Sequence, residues 1–151
     1  MSVKQISVFL ENKPGSLYEM TKVLAEHHID MRGLSLAETI DFGIVRLIVD
    51  DVLRTATVLK EAGFVSSLTP VLAVAVPNAP GGLNKVLGLL QEADINVEYM
   101  YAITLSNRDG AEPDQPGDAY MIFRVSDEAK AAAALTSAGI RMADQADLAA
   151  L

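Results

Sequence analysis

The segment Phe9-Leu10-Glu11-Asn12-Lys13-Pro14-Gly15-Ser16-Leu17 decides how this chain folds, because its central string, Asn-x-Pro-Gly-x-Leu, occurs twice. The second copy reads Val76-Pro77-Asn78-Ala79-Pro80-Gly81-Gly82-Leu83. A shift of 66 residues places Asn12 on Asn78, Pro14 on Pro80, Gly15 on Gly81 and Leu17 on Leu83. Working outward, the same shift places Val8 on Val74, Leu24 on Leu90, Glu26 on Glu92 and Ile29 on Ile95. Further along the shift becomes 76, with Val49 on Val125, Asp51 on Asp127, Leu59 on Leu135 and Ala62-Gly63 on Ala138-Gly139. The extra residues fall in Ser106–Asp118, a Gly-, Pro- and Asp-rich stretch that predicts a surface loop. Self-similarity at a fixed offset means a repeated structural unit, here about 70 residues long.

Each copy carries the same run of elements. Ile6, Val8 and Leu10 alternate with polar neighbours, the pattern of a half-buried strand. Their counterparts Leu72, Val74 and Val76 sit among Val71, Ala73 and Ala75, which predicts a strand covered on both faces. After the Pro-Gly turn, Leu17, Met20 and Leu24 share one helix face, matched by Leu83, Val86, Leu87 and Leu90. Strands follow at Met31–Glu38 and Val97–Thr104, then at Ile44–Val49 and Tyr120–Val125. A second helix is expected to start on an N-cap, Asp51 or Asp127, and to stop at Gly63 or Gly139. Short closing strands are expected near Phe64–Leu68 and Ile140–Ala143. The order β-α-β-β-α-β is the split βαβ, or ferredoxin-like, pattern. The fold class is therefore α+β, with two ferredoxin-like βαββαβ units, residues 1–69 and 70–151. A unit this small is marginal alone, so the two are expected to pack side by side and share buried surface.

Composition narrows the class of function. The chain has 151 residues, half of them hydrophobic, as a packed core requires. Asp and Glu outnumber Lys and Arg by 20 to 12, a net charge of −8 without a basic cluster. That balance argues against nucleic acid and against an anionic membrane surface as partners. With no cysteine there is no disulfide, thiolate nucleophile, iron–sulfur cluster or cysteine zinc site. The start, Met-Ser-Val-Lys-Gln, does not read as a signal peptide, and no apolar run approaches the ~20 residues of a membrane span. A small, soluble, cytoplasmic protein is expected.

The repeated turn has a chemical reading. Pro14 and Pro80 fix φ, and Gly15 and Gly81 permit backbone angles or close approaches that a Cβ would forbid. A helix opening directly after them presents unpaired N–H groups and its positive dipole end, an anion site sized for a carboxylate. Asn12 and Asn78 add an amide that donates and accepts. The plainer alternative is a tight strand–helix turn in which the Asn satisfies nearby backbone.

With these residues in view the unit resembles an ACT domain, a small-molecule regulatory module found with enzymes of amino-acid metabolism. The resemblance rests on residues 9–17 and the strand opening Ile29-Asp30-Met31, then on residues 76–83 and Ile95-Asn96-Val97. The stretch Ala37–Asp51 is similar to free-standing tandem ACT proteins described as amino-acid binding, and the resemblance covers nearly the whole chain. It implies a non-catalytic regulatory module that binds a free amino acid at the interface of its two domains, without a cofactor. One implied site uses Asn12, Pro14, Gly15, Ser16 and Leu17 with Asn96 and Val97. The other uses Asn78, Pro80, Gly81, Gly82 and Leu83 with Asp30 and Met31. Asp30 suits an α-ammonium, a charge-assisted partner; as an alternative it is a solvated turn residue. Gly33 and Ser35 align with Tyr99 and Tyr101, so one second strand is small where the other is aromatic. The tyrosines either stack on a ligand ring or pack in the core, and a strand bulge would decide which face they take.

Catalytic sets are not evident in the sequence. His27 and His28 are adjacent at a helix end, where cations favour the dipole and capping outweighs a metal site. Asp50-Asp51 reads as a strand end and an N-cap, and no metal centre is expected. The alternative function is a detached regulatory or structural subunit acting through protein contacts on a partner enzyme of amino-acid metabolism, or pairing as a homodimer. RNA-recognition domains share the element order, but they need aromatic residues on the central strands and a basic surface. Here the first strands carry Ser7 and Phe9, or Ala73 and Ala75.

Overall fold

The structure, a computed structural model, describes residues 2–103 and 119–150. The expected surface loop Ser106–Asp118 and the last residue of the expected strand, Thr104, lie outside these. The described chain divides into two compact units. One comprises Lys4–Thr69 with Leu148–Ala150, and the other is built on Pro70–Asp147.

The first unit contains β1 (Val3–Glu11), α1 (Ser16–Glu26), β2 (Met31–Glu38), β3 (Phe42–Val49) and α2 (Val52–Glu61). It closes on the opening residues of β4 (Val65–Val76). Strands β2 and β1 flank β3, both antiparallel to it, in register Ile6–Leu47, Val8–Val45 and Leu36–Val45. Ile6, Val8, Val45 and Leu47 form one core with Met20 and Leu24 of α1 and Val58 and Leu59 of α2. That is the helix-covered face expected from the alternation in β1. On the other face Gln5 and Ile48 are buried as well, and Gln5 Nε2 donates to Ser7 Oγ at 3.0 Å.

The second unit repeats the plan with the rest of β4, α3 (Gly82–Glu92), β5 (Val97–Ala102), β6 (Ala119–Val125), α4 (Glu128–Ser137) and β7 (Met142–Ala143). Strand β6 lies between β4 and β5, antiparallel to both, and β7 pairs with β4 at Ala73 and Val74. Leu72, Val74 and Phe123 meet Val86 and Leu90 of α3 and Leu135 of α4 in a second core. Val71 to Val76 are all buried, so this strand is covered on both faces, as its unbroken apolar run predicts.

Two features depart from the sequence reading. The closing strand of the first copy and the opening strand of the second are one 12-residue strand, β4. Pro70 inside it looks like punctuation, yet a proline costs a strand only one ladder donor. The chain also ends in a short helix, α5 (Gln145–Ala149), whose opening is a reciprocal pair. Asp147 N–H donates to Asp144 Oδ1 and Asp144 N–H to Asp147 Oδ2, both at 2.9 Å. Its Leu148 is fully buried.

The helix ends follow the local code. Asp51 accepts from Arg54 N–H and Asp127 from Lys130 N–H, each at 3.0 Å, so both expected N-caps form. Gly63 and Gly139 adopt positive φ, and the next residues, Phe64 and Ile140, donate back to Leu59 and Leu135. This is the Schellman closure. α1 and α3 close in the same way, but with His28 (φ 53°) and Asp94 (φ 57°) in the left-handed position. His27 Nδ1 lies 2.9 Å from the Val23 carbonyl, and His28 takes part in ending α1 through its backbone.

Candidate functional site

The repeated turn joins strand to helix in both units by the same backbone route. Gly15 (φ 89°) and Gly81 (φ 83°) are the N-cap residues, left-handed, and no side chain accepts from the N–H groups of the following turn. Each loop is tightened from within. Lys13 N–H donates to the Glu11 carbonyl and Ser16 N–H to that of Lys13; Ala79 N–H donates to Pro77 and Gly82 N–H to Ala79. The helix therefore opens on backbone donors, as an anion site requires.

A Cβ at Gly15 or at its counterpart Gly81 would meet nothing within 4 Å, so the two loops are alike at the left-handed position. A Cβ at Gly82 would stand 3.0 Å from the Pro77 carbonyl carbon and 3.3 Å from the Pro77 Cβ, with the carbonyl oxygen closer still. Gly82 is buried, whereas its counterpart Ser16 is half-exposed.

Asn12 is engaged on its own unit. Its Nδ2 donates to the carbonyls of Thr39 (3.2 Å) and Ile40 (3.4 Å), and its N–H donates to Asp41 (3.0 Å), tying the loop to the β2–β3 turn. The amide oxygen is left as the group that faces other partners. The turn that would play this part for Asn78 lies outside the described residues. Leu17 and Leu83, both expected at a ligand, pack against the two cores.

A cleft of about 470 Å³ opens beside the first loop. Pro14, Gly15 and Ser16 form one wall; Phe9, Leu10, Phe64 and Val65 form the apolar wall; Glu11, Lys13 and Glu19 stand at the rim. Phe9 is 45% exposed and Val65 67%. Glu11 and Lys13 pair at 2.9 Å. Phe9, Phe64, Val65 and Glu19 were not among the residues singled out from the sequence. The signal available was their proximity to two turn glycines, Gly15 and Gly63, at the same end of the sheet. Asn12 and Leu17 line a separate, smaller hollow against Leu36, Glu38 and Gly43.

The strand-opening residues sit elsewhere in each unit. Asp30 and Met31 follow the far end of α1, about 16 Å of helix from Gly15, since eleven residues rise about 1.5 Å each. Asn96 and Val97 likewise follow the far end of α3 from Gly81. Within one unit, then, loop and strand opening do not share a small ligand. Asp30 Oδ2 accepts from Arg32 Nη1 at 2.7 Å, and Arg32 Nη2 donates to the Ala149 carbonyl at 2.9 Å. Met31 is partly exposed at the edge of the sheet. Asn96 N–H donates to Ser126 Oγ, and Ser126 N–H donates to the Asn96 carbonyl. Asn96, Val97 and Ser126 line a second hollow of about 330 Å³ with Gln91 and Asp94.

Both second strands do carry a bulge, at Arg32 and at Glu98. Past it, Gly33 and Ser35 lie opposite Ile48 and Arg46, and Tyr99 and Tyr101 opposite Arg124 and Ile122. All four positions face away from the helices, because the intervening Leu34 and Met100 lie opposite the core residues Leu47 and Phe123. Both tyrosines are half-buried.

Among the described residues no group of three or more His, Cys, Asp or Glu is placed to hold a metal ion. No helix there is long and apolar enough to cross a membrane.

Two βαββαβ units, each with a glycine-opened helix after its first strand, define a tandem of ferredoxin-like domains. The family profile described as an ACT domain pair matches residues 1–151, and the chain belongs to that family. The fold is also that of protein BT0572 from Bacteroides thetaiotaomicron, at 37% identity and a TM-score of 0.88, covering 100% of this chain and 98% of the other. The regulatory subunit of aspartate kinase from Thermus thermophilus, in a ligand-free form, matches at 17% identity and a TM-score of 0.60, over 90% of each chain. The corresponding subunit from Thermus flavus matches at 15% identity and a TM-score of 0.54, over 90% and 92%. These last two likenesses are of fold. No curated protein sequence matches the chain.

Proposed function

We propose that this ACT domain pair is a non-catalytic regulatory module that binds a free amino acid through its helix-opening loops. The observation that carries the reading is the first loop: uncapped backbone donors behind a left-handed glycine, set beside a cleft with an apolar wall and charged rim. Helix-opening N–H groups suit an α-carboxylate, and the rim carboxylates suit an α-ammonium. A regulatory rather than catalytic role is supported by the family.

A thermal-shift panel of the twenty L-amino acids at about 1 mM tests it. A ligand with a Kd of roughly 10 μM stabilises by about 2.7 kcal/mol at that concentration. For a chain this long the melting point rises by roughly 5–10 °C. A selective rise for one chemical group of amino acids is expected, and a flat panel would refute the reading.

A second reading has its own observation. Among the described residues strand β2 pairs with β3 alone, and it carries exposed Leu34 and Leu36, with exposed Ile40 in the turn beyond and exposed Phe42 opening β3. Apolar side chains on a sheet edge suit a strand or surface from another protein. This favours a subunit that acts on a partner enzyme of amino-acid metabolism. Leu36→Lys is expected to abolish such an association while leaving the melting point within about 1 °C, the usual range for surface changes.

A further inference from the structure

The sheet of the first unit has two edges, β2 and the opening half of β4. In the order β2-β3-β1-β4, residues 65–69 lie next to β1, where Ser7 Oγ and Thr69 Oγ1 are 3.4 Å apart. On its other side β4 pairs with β6 from Leu72 to Val76, and its pairing with β7 is confined to Ala73 and Val74. Among the described residues no strand covers residues 65–69 on the side away from β1. We propose that this edge joins two copies of the chain, their β4 strands paired antiparallel about a twofold axis at Ser67. The proposal goes beyond the amino-acid reading and does not depend on it.

Alternation along β4 sorts this edge into two faces. Leu72 and Val74 belong to a helix-covered core, so Ser66 and Leu68 take the helix side and Val65, Ser67 and Thr69 the other. On the helix side lies a groove of about 360 Å³, lined by Phe64, Ser66 and Leu68 and by Ala56 and Lys60 of α2. Val65 is 67% exposed and Leu68 42%. One turn before Ala56 on the same face of α2, Leu53 is 72% exposed. Strand edge and helix stripe thus leave apolar side chains open along one side of the unit.

Shape and charge name a second copy as the occupant. A twofold interface has to be self-complementary, and an edge strand paired antiparallel with its own copy meets that condition. With the helices on one side of the joined sheet, opposite residues share a face, so the residue on the axis meets itself. Ser67 is the midpoint of the bare span, and pairing about it sets Val65 against Thr69 and Ser66 against Leu68 of the second copy. Each Leu68 then stands over the small Ser66 of the other copy and fills the groove beside Phe64, Ala56 and Lys60. Knob and hole are exchanged reciprocally. Two chains of charge −8 repel, but residues 62–84 hold no charged side chain, and the groove lining carries Lys60 and no carboxylate. Sheet edges are commonly guarded by charge, and the β2 edge is, with Arg32 and Glu38. A short edge and one helix stripe fall at the low end of specific interfaces, so the dimer is a weak one.

Sedimentation velocity of the full-length chain from about 1 to 200 μM tests the surface, the range in which a small interface dissociates. Conversion from monomer to dimer across that range is expected. Leu68→Glu removes the knob and brings a carboxylate to the groove, and is expected to weaken the dimer about tenfold or more. Ser67→Asp sets like charges directly opposite each other and is expected to weaken it as well. Ser67 is exposed, so this variant keeps the test valid if Leu68→Glu compromises folding. Cross-linking reads the register, because the chain has no cysteine of its own. Opposite Cα atoms about 4.5–5.5 Å apart are within disulfide reach, so Ser67→Cys is expected to oxidise to a covalent dimer and Leu36→Cys, at the β2 edge, to stay monomeric. A chain that remains monomeric over the whole range would overturn the proposal. So would a dimer that neither Leu68→Glu nor Ser67→Asp weakens, or one that Ser67→Cys fails to cross-link.

Discussion

The close approach of Pro77 to Gly82 can be tested without any ligand, through Gly82→Ala. An added Cβ would stand 3.0 Å from the Pro77 carbonyl carbon and 3.3 Å from its Cβ, with the carbonyl oxygen nearer. Backbone cannot swing aside as a flexible side chain does, so the Pro77–Gly81 turn has to move and strain its Pro77–Ala79 and Ala79–Gly82 hydrogen bonds. Overpacking of this kind costs about 1–3 kcal/mol, and a backbone neighbour puts it at the upper end. At 2–4 °C per kcal/mol for a chain of this size, the melting point falls by roughly 6–12 °C. Tyrosine fluorescence is the suitable probe. Tyr99, Tyr101 and Tyr120 are in the second unit and only Tyr18 is in the first, and the chain has no Trp. A Gly82→Ala protein melting within about 2 °C of the parent would show that the Pro77 carbonyl does not cover the helix opening.

Asn12→Ala removes two exposed side-chain hydrogen bonds to Thr39 and Ile40 carbonyls that water can replace, so a loss of about 0.5–1 kcal/mol is expected in urea denaturation. Asp51→Ala and Asp127→Ala each remove an N-cap acceptor and are expected to cost about 1 kcal/mol, with effects that add because the caps lie in separate units. His28→Gly relieves a left-handed residue at the end of α1 and is expected to stabilise by about 0.5–1 kcal/mol, the left-handed penalty less the added chain entropy of glycine. Leu148→Ala empties a fully buried position and is expected to cost about 2–5 kcal/mol; hydrogen exchange should rise in residues 4–69, the unit to which Leu148 belongs.

The elements legible in the sequence are those whose cause is local. The caps at Asp51 and Asp127, the closures at Gly63 and Gly139 and the alternation in β1 each depend on residues within a few positions of one another. The continuity of β4 depends on which strand accepts from each side of Pro70, which no local pattern records. The bulges at Arg32 and Glu98 are equally silent, and they set which way Gly33, Ser35, Tyr99 and Tyr101 face. At the candidate site the turn was legible and its surroundings were not. Asn12 carries an amide fit for a ligand, but the structure spends its donor on the β2–β3 turn. Asp30 carries a carboxylate fit for an ammonium, but Arg32 holds it at 2.7 Å. Phe9 and Val65 read as ordinary strand residues, and become cleft walls only because the ends of β1 and α2 converge there.

Repetition within one chain separates what the fold needs from what a ligand would need. Both copies must turn from a strand into a helix, and both keep Pro, Gly and the left-handed N-cap that make the turn. That shared string is therefore explained by folding alone, and its recurrence cannot by itself mark two sites. The lining has no such duty to the turn. Where the first copy has Phe9, Glu11, Lys13 and Glu19, the second has Ala75, Pro77, Ala79 and Lys85 with the same turn intact. The turn therefore does not require those side chains in the first copy. Half-exposed Phe9 and mostly exposed Val65 also contribute less to the core than their size allows. An apolar surface kept open beside uncapped helix donors is costly to leave in water and gains by being covered.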